Sequence, residues 1–264
     1  MNRVVSQDGT SIAYEQVGHG PSLVLVDGAL CYRASGPNKP LAERLASSFT
    51  VYTYDRRGRG DSDERGPYAI EREIEDLEAV ISAAGGTAFV YGISSGAALA
   101  LEAAACLPSI RKLALFEAPY IVDGSRSPIP KDYETTMDRL LANGKRGAAV
   151  KHFLGKGVAV PGPVVAMMPL MPGWSKMKAI AHTLPYDVKL TISHQQGVPL
   201  STDTWRAVTI PTLIIDGGKS PAWMRNAMRS LADALPNAGY QTLPGQTHIV
   251  KPDVLAPALK NFFV

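Results

Sequence analysis

The chain has 264 residues, of which 45% are hydrophobic, 19% charged and 7% aromatic, and its formal net charge is +3. This composition is typical of a globular protein with a substantial core, and it excludes a disordered tail protein, a collagen-like repeat and a coiled coil. The basic residues occur in isolated pairs without interleaved aromatic side chains, so nucleic acid is not expected as a partner.

No apolar run approaches the roughly 20 residues of a membrane-spanning helix, and Glu102 interrupts the longest candidate, Ala97–Leu107. A membrane is therefore not expected as a partner. The first residues carry no apolar signal core, so export is not expected either. The two cysteines, Cys31 and Cys106, lack the spacing of a disulfide scaffold or a metal site. We expect a cytoplasmic protein without metal or cofactor, and the sequence does not predict its oligomeric state.

Strand and helix patterns alternate along the chain. The Asp8-Gly9 turn predicts a hairpin, and the apolar run Ser22–Val26 predicts a strand that is buried on both faces. The other predicted strands are Phe49–Tyr54, Ala88–Tyr91, Lys112–Phe116, Pro211–Ile215 and Tyr240–Leu243. Predicted helices begin near Pro67 and span Ser95–Leu107, Ala222–Leu235 and Val254–Phe263. The alternation predicts an α/β fold, with a mostly parallel sheet and helices on both faces.

The interval 121–206 interrupts this alternation. It contains no strong strand pattern, and four short helical patterns are predicted at Asp132–Leu141, Ala148–Phe153, Val164–Met171 and Lys176–Leu184. We interpret it as a helical insertion into a single domain whose core is formed by residues 1–120 and 207–264. Five of the eight methionines lie in the insertion, namely Met137, Met167, Met168, Met171 and Met177. Such side chains are equally typical of ordinary packing and of an adaptable roof over a binding site.

A candidate nucleophile lies in the segment Gly92-Ile93-Ser94-Ser95-Gly96, between a predicted strand and a predicted helix. A serine in this pattern sits on a sharp, strained turn with its hydroxyl exposed. Because a serine hydroxyl is a poor nucleophile unless a base accepts its proton, a histidine is required nearby. Of the five histidines, only His248 follows the last predicted strand and precedes the final helix. Ser94 and His248 are therefore the candidate nucleophile and base.

The chain resembles the α/β-hydrolase family over nearly its whole length. The resemblance rests on four segments, Leu25-Val26-Asp27-Gly28-Ala29, Tyr54–Ser62, Gly92–Gly96 and Gly245-Gln246-Thr247-His248. It implies an eight-stranded sheet with an antiparallel first strand pair, and a cap inserted after the sixth strand. It also implies that the backbone N–H groups of Ala29 and Ser95 form an oxyanion hole.

Two positions depart from the family pattern. The family usually has His-Gly after the third strand, whereas this chain has Asp27-Gly28, and Ser220 stands where the acid of the triad normally follows the seventh strand. Glu117, after the sixth strand, and Asp216, after the seventh, are the carboxylates that can replace that acid. The chain is similar here to zearalenone-type lactonases and to some haloalkane dehalogenases, in which the acid follows the sixth strand. This resemblance favours Glu117 and leaves Asp216 as the alternative.

The resulting hypothesis is a serine hydrolase that cleaves an ester or lactone of an apolar small molecule. Ser94 attacks the carbonyl, His248 accepts the proton, and Glu117 orients the imidazole. A cofactor-free perhydrolase or haloperoxidase, a carbon–carbon bond hydrolase and a non-catalytic ligand-binding protein are the alternatives. Epoxide hydrolases and dehalogenases are disfavoured because they need an aspartate in place of Ser94. Cys31 is a candidate for lining the pocket.

Three arginines, Arg56, Arg57 and Arg59, follow the strand that ends at Tyr54. They resemble an anion site, but the same pattern is common in the family. We therefore expect them to pair with nearby acids such as Asp55 and Asp61. The acidic residues of the helix that begins near Pro67, Glu73 and Asp76 among them, are expected mostly to face water.

Overall fold

A computed structural model describes residues 1–264 and contains one sheet of eight strands. The strands are β1 (Asn2–Val5), β2 (Ser11–Gly18), β3 (Ser22–Val26), β4 (Thr50–Tyr54), β5 (Ala88–Ile93), β6 (Ile110–Phe116), β7 (Thr212–Gly217) and β8 (Ala238–Leu243). Their order across the sheet is β1-β2-β4-β3-β5-β6-β7-β8. Strand β2 is antiparallel to β1 and β4, and all other neighbours are parallel. The predicted sheet is therefore confirmed.

Ten α-helices accompany the sheet. They are α1 (Asn38–Leu45), α2 (Ile70–Ala83), α3 (Ser95–Cys106), α4 (Tyr133–Ala142), α5 (Arg146–His152), α6 (Gly162–Met167), α7 (Trp174–Ala179), α8 (Leu184–Thr191), α9 (Ala222–Ala234) and α10 (Pro252–Phe263). Helices α1 and α10 pack on one face of the sheet, and α2, α3 and α9 pack on the other. None of the ten combines the length and the hydropathy that crossing a membrane requires.

Strand β3 is apolar after its first residue because both of its faces are covered. In β3, Leu23 and Leu25 belong to the core layer under α1 and α10, whereas Val24 and Val26 belong to the opposite layer. Alternate residues of a strand point to opposite faces, so a strand between two helical layers has no polar face. The apolar run that predicts β3 in the sequence is therefore a consequence of burial on both faces.

Helix α1 is not predicted from the sequence. It is only eight residues long and contains Pro40 within its first turn. Its buried residues Leu41 and Leu45 pack in the same cluster as Leu255 and Leu259 of α10. Short helices gain most of their stability from such tertiary contacts rather than from local propensity, so the sequence pattern alone does not indicate this helix.

The segment between β6 and β7 is helical and contains α4 to α8. The observed helices differ from the predicted patterns in two places. Helix α6 ends at Met167 and gives way to a 3₁₀ turn at Met168–Leu170, and Pro169 cannot continue an α-helical hydrogen-bond ladder. Helix α8 is not predicted as a separate element, although Pro185 stands at its start, where proline is favoured. The exact limits of the insertion, 121–206, stay a prediction.

Candidate active site

Ser94 occupies the turn between β5 and α3. Its backbone has φ 59° and ψ −128°, a conformation that a non-glycine residue adopts only under constraint from its surroundings. The constraint is visible on both sides, since the Ser94 N–H donates to the carbonyl of Phe116 at 2.9 Å and its own carbonyl accepts from Ala97 at 2.9 Å. The predicted strained serine turn is therefore present in the structure.

The two glycines around Ser94 are needed for close backbone contact. A Cβ atom on Gly92 would lie 2.4 Å from the carbonyl oxygen of Gly96, and one on Gly96 would lie 2.5 Å from that of Val26. Both distances are shorter than real Cβ contacts, and the opposing atoms belong to the backbone. Helix α3 therefore lies directly against β3 and β5, which fixes the position of the serine above the sheet.

His248 lies in the loop between β8 and α10 and contacts Glu117 at the end of β6. The His248 Nδ1 atom is 2.7 Å from Glu117 Oε2, and Glu117 Oε1 accepts the N–H of Gly217 at 2.7 Å. Glu117 is fully buried, whereas the His248 side chain is 31% exposed. Because a carboxylate only accepts hydrogen bonds, Nδ1 is the donor in this contact, and in a neutral imidazole Nε2 then has the free lone pair.

The alternative carboxylate has other partners. Asp216, near the end of β7, accepts the hydroxyl hydrogen of Tyr240 at 2.5 Å, and its Oδ2 lies 3.6 Å from Arg225 Nε. The structure thus brings Glu117, and not Asp216, to His248. Ser220, at the position that the family pattern gives to the acid, is buried and its hydroxyl has no hydrogen-bond partner.

The two candidate oxyanion donors line the same cavity as Ser94. Ser95 is the first residue of α3, so its N–H has no partner within the helix, and the N–H of Ala29 has no backbone partner in its loop. A Cβ on Gly28 would lie 2.9 Å from the Cβ of Ser94, so this loop runs directly beside the serine. Two free amides next to a serine are the arrangement that binds a developing oxyanion.

A buried ionic cluster connects the loop at Gly28 and helix α3 to the inserted segment. Asp187 of α8 accepts hydrogen bonds from Arg56 at 2.8 Å, from Arg59 at 2.7 Å and from the Ser95 hydroxyl at 2.8 Å. Arg59 also donates to the carbonyl of Gly28 at 2.8 Å. Burial by itself would raise the pKa of Asp187, but the attraction of Arg59 and Arg56 outweighs it and lowers that pKa. The carboxylate is therefore charged and fixes both sides of the candidate oxyanion site.

The expected partners of the arginines were wrong. Arg56 binds Glu73 through two hydrogen bonds, and Arg57 binds Asp76 in the same way. Glu73 and Asp76 are consequently buried, against the expectation that the acidic residues of α2 mostly face water. The oxygens of Asp55 accept backbone amides at residues 33 and 61, at 2.7 and 2.9 Å, which leaves them poorly placed to meet the arginines of their own loop. Both Asp55 and Asp61 bind the guanidinium of Arg33 instead.

Ser94, Ser95, Ala29 and His248 open into one cavity of about 540 Å³. Its walls are mainly apolar, and the inserted segment contributes Phe153, Leu154, Val158, Met177 and Val188. Concave, mostly apolar cavities with a few convergent polar groups are typical of small-molecule sites. The cavity therefore combines mainly apolar walls with a few polar groups, as a candidate small-molecule site does.

Cys31 and the methionines of the inserted segment lie in different environments. Cys31 lines the cavity, and burial together with Asp27 raises the pKa of its thiol to about 12, so the thiol stays protonated. Met177 also lines the cavity. Met167 and Met171 are more than half exposed, which fits neither core packing nor a roof over the site.

Asp187 is the site residue that the sequence reasoning missed. It is 128 residues from Arg59 and belongs to no motif. One signal was available, because Asp187 is the sole carboxylate between residues 139 and 202, a stretch rich in lysine and arginine. An isolated acid in a basic segment often has a specific partner, and here its partners are buried arginines.

Comparison with known proteins identifies the family. The family model described as "Alpha/beta hydrolase family" matches residues 17–258. The chain therefore belongs to the alpha/beta hydrolase family, as its sheet order and serine turn also indicate.

Individual relatives are consistent with this assignment. The chain is 30% identical to a pimeloyl-[acyl-carrier protein] methyl ester esterase of Xanthomonas campestris over 271 aligned positions, which cover 93% of this chain and 96% of the relative. An alpha/beta hydrolase from Sphaerobacter thermophilus superimposes with a TM-score of 0.93 at 55% identity and covers 100% of both chains. The enol-lactonase of Burkholderia xenovorans, at 20% identity and a TM-score of 0.69, covers 99% of both chains and shares the fold.

Proposed function

We propose that this protein is a serine hydrolase that cleaves carboxylic esters or lactones of apolar small molecules through an acyl-enzyme on Ser94. The observation that carries the proposal is the 2.7 Å contact of the buried Glu117 with His248, which lines the same cavity as Ser94. A nucleophile, a base and an acid that orients the base are the parts of a serine triad. The methyl ester esterase among the relatives supports the same class of reaction.

In the proposed reaction, His248 Nε2 accepts the hydroxyl proton of Ser94 as the Ser94 oxygen attacks the carbonyl carbon. The tetrahedral oxyanion accepts hydrogen bonds from the amides of Ala29 and Ser95. His248 then gives its proton to the leaving oxygen, and the acyl group stays on Ser94. Water, activated by the same imidazole, releases the acid and restores the serine.

Glu117 is suited to its proposed role because it is held at both oxygens. One oxygen accepts from His248, and the other accepts the Gly217 amide of the neighbouring strand. A fully buried carboxylate that keeps two donors retains its orientation, and it stabilises the imidazolium that forms during attack. A triad acid at the end of β6 thus takes the place of the acid missing at Ser220.

Substrate preference follows from the walls of the cavity. The inserted segment is proposed to act as a cap, because five of its apolar side chains face the cavity that contains Ser94. Burial of apolar substrate surface contributes roughly 25 cal/mol per Å² to binding. Esters with an apolar acyl group or ring are therefore expected to be cleaved faster than short polar esters.

Covalent labelling and turnover test the proposal together. A fluorophosphonate probe should modify the wild-type protein at Ser94, as read by mass spectrometry of the labelled peptide. Ser94→Ala should lose labelling and lower the turnover of aryl esters by roughly 10³-fold or more. Ser35→Ala is the matched control, since Ser35 lines the same cavity without lying on the turn, and it should label normally. Comparable turnover in Ser94→Ala, or a wild-type protein that the probe does not modify, contradicts the proposal.

A further inference from the structure

Residues 159–173 form a surface stretch without a single polar side chain. It consists of alanine, valine, proline, glycine, methionine and leucine alone, and twelve of its fifteen residues are exposed. We call it the apolar strip. Met167 is 62% exposed, Leu170 85% and Met171 51%. A contiguous exposed apolar surface on a folded protein marks a place of interaction, because leaving it in water costs free energy.

The apolar strip lies within a segment of one charge sign. Residues 139–186 contain seven lysines and arginines and no aspartate or glutamate. Six of these cations are exposed, namely Arg139, Lys145, Arg146, Lys156, Lys176 and Lys178. None of the seven forms a salt bridge. Of the two acids that bound the segment, Asp138 is exposed and Asp187 is buried and already paired. The positive charge beside the strip is therefore available to an external anionic partner.

The same stretch of chain forms part of the cavity wall. Val158, immediately before the apolar strip, and Met177, shortly after it, both line the cavity that contains Ser94. Any surface that contacts the apolar strip therefore lies close to the part of the cavity wall that the inserted segment forms. A ligand dissolved in that surface would have a short path to the cavity.

We propose that the apolar strip and its flanking cations dock this protein onto the surface of an anionic lipid bilayer. Apolar side chains of such a segment enter the boundary between headgroups and acyl chains, and neighbouring lysines and arginines meet the lipid phosphates. A second copy of the chain fits less well, because two like-charged segments repel. A protein partner fits less well too, because specific interfaces contain direct hydrogen bonds and the strip has no polar side chain to make them.

The backbone of the strip is compatible with shallow insertion. Helix α6 and the following 3₁₀ turn satisfy main-chain groups internally, and the N–H of Val165 and of Met171 donate to carbonyls at 3.1 and 3.0 Å. Polar backbone groups without partners are costly in hydrocarbon, so this local pairing matters. The expectation that a membrane is not a partner rested on the absence of a spanning run, and docking on the surface requires no span. The docking is also independent of the proposed hydrolase activity.

Flotation with vesicles tests the docking. The wild-type protein should float with vesicles of phosphatidylglycerol and phosphatidylcholine in equal amounts, and bind pure phosphatidylcholine vesicles roughly tenfold less well. The triple variant Met167→Ser, Leu170→Ser, Met171→Ser should lower binding roughly tenfold or more. The double variant Lys176→Glu, Lys178→Glu should remove the preference for phosphatidylglycerol.

Matched controls keep the test specific. Val5→Ser, Val198→Ser changes exposed apolar residues outside the strip, and Arg111→Glu, Arg206→Glu reverses exposed cations outside the segment, so both should bind like wild type. Thermal unfolding of every variant verifies its fold. Equal binding to both vesicle types, or equal loss in the strip and control variants, overturns the proposal. A dimer in sedimentation experiments that the triple variant abolishes, without vesicle binding, assigns the strip to contact between copies and also overturns it.

Discussion

The ends of β6 and β7 carry two buried carboxylates that look equivalent in the sequence and differ in the structure. Glu117 contacts His248 from the β8–α10 loop, whereas Asp216 accepts a hydrogen bond from Tyr240 of the adjacent strand β8. Both side chains are fully buried, so burial does not distinguish them. The difference lies in what faces each carboxylate, which shows that the role of a strand-end acid depends on its tertiary partner rather than on its position after a strand.

Substituting the two carboxylates in parallel gives the largest expected contrast. Glu117→Gln should lower kcat by roughly 10³- to 10⁴-fold, because the amide does not hold the imidazole in the correct tautomer or stabilise its charge. Asp216→Asn should leave kcat within about threefold of wild type, since Asp216 does not touch His248. Steady-state ester hydrolysis measures both. If Asp216→Asn is the more damaging change while both variants stay folded, Glu117 is not the triad acid.

A second contrast concerns two buried aspartates that pair with arginines of one loop, Asp187 and Asp76. Each substitution to asparagine should lower the free energy of unfolding by about 3–5 kcal/mol, because a buried arginine loses one of its charged partners. Asp187→Asn should in addition lower kcat roughly tenfold to a hundredfold, since Asp187 holds Ser95 and, through Arg59, the Gly28 loop. Asp76→Asn should not lower it. Urea unfolding and kcat at saturating ester separate the effects, and equal kcat values would show that the cluster is purely structural.

The end of β3 adds a third strand-end carboxylate, Asp27, whose carboxyl oxygen Oδ1 has no hydrogen-bond partner. Burial raises the pKa of Asp27 from its ordinary value of 3.8 to about 7. Between these values the folded protein binds a proton that the unfolded chain has released, so stability falls as the pH rises from about 4 to about 7. Relative to Asp27→Asn, the wild type should lose up to about 4 kcal/mol across this window.

Urea unfolding at several pH values measures the contribution of Asp27. The exposed Asp203→Asn serves as the control and should keep the wild-type pH dependence. A stability difference between wild type and Asp27→Asn that is constant from acid to neutral pH would show that the carboxyl titrates normally.

The smallest expected effect separates the structural role of Asp216 from catalysis. Tyr240→Phe removes the hydroxyl that binds this carboxylate and should lower the free energy of unfolding by about 1–2 kcal/mol. Activity should not change, because neither residue contacts His248. Thermal unfolding and ester turnover check the two statements, and a fall in turnover without a change in stability would contradict the division of roles.

The sequence predicted the parts of this molecule that depend on local pattern. The continuous apolar run of β3, the glycines around Ser94 and the turn that carries this serine are consequences of backbone geometry, and each leaves a readable signal. Helix α1 and the buried state of Glu73 left none, because both depend on partners distant in the chain. The resemblance favoured Glu117, and the structure places it beside His248, but residue spacing alone did not distinguish it from Asp216.

The close packing at Gly92 and Gly96 has a consequence for how this protein can diversify. A side chain at either position would meet main-chain oxygen at about 2.5 Å or less, so the contact between α3 and the sheet that positions Ser94 tolerates almost no sequence change. Variation in ligand range must therefore accumulate in the overlying helical segment, where Phe153, Leu154 and Met177 can change size without disturbing the sheet. Among close homologues with different ligands, we therefore expect these two glycines to stay constant and the cavity residues of the inserted segment to vary.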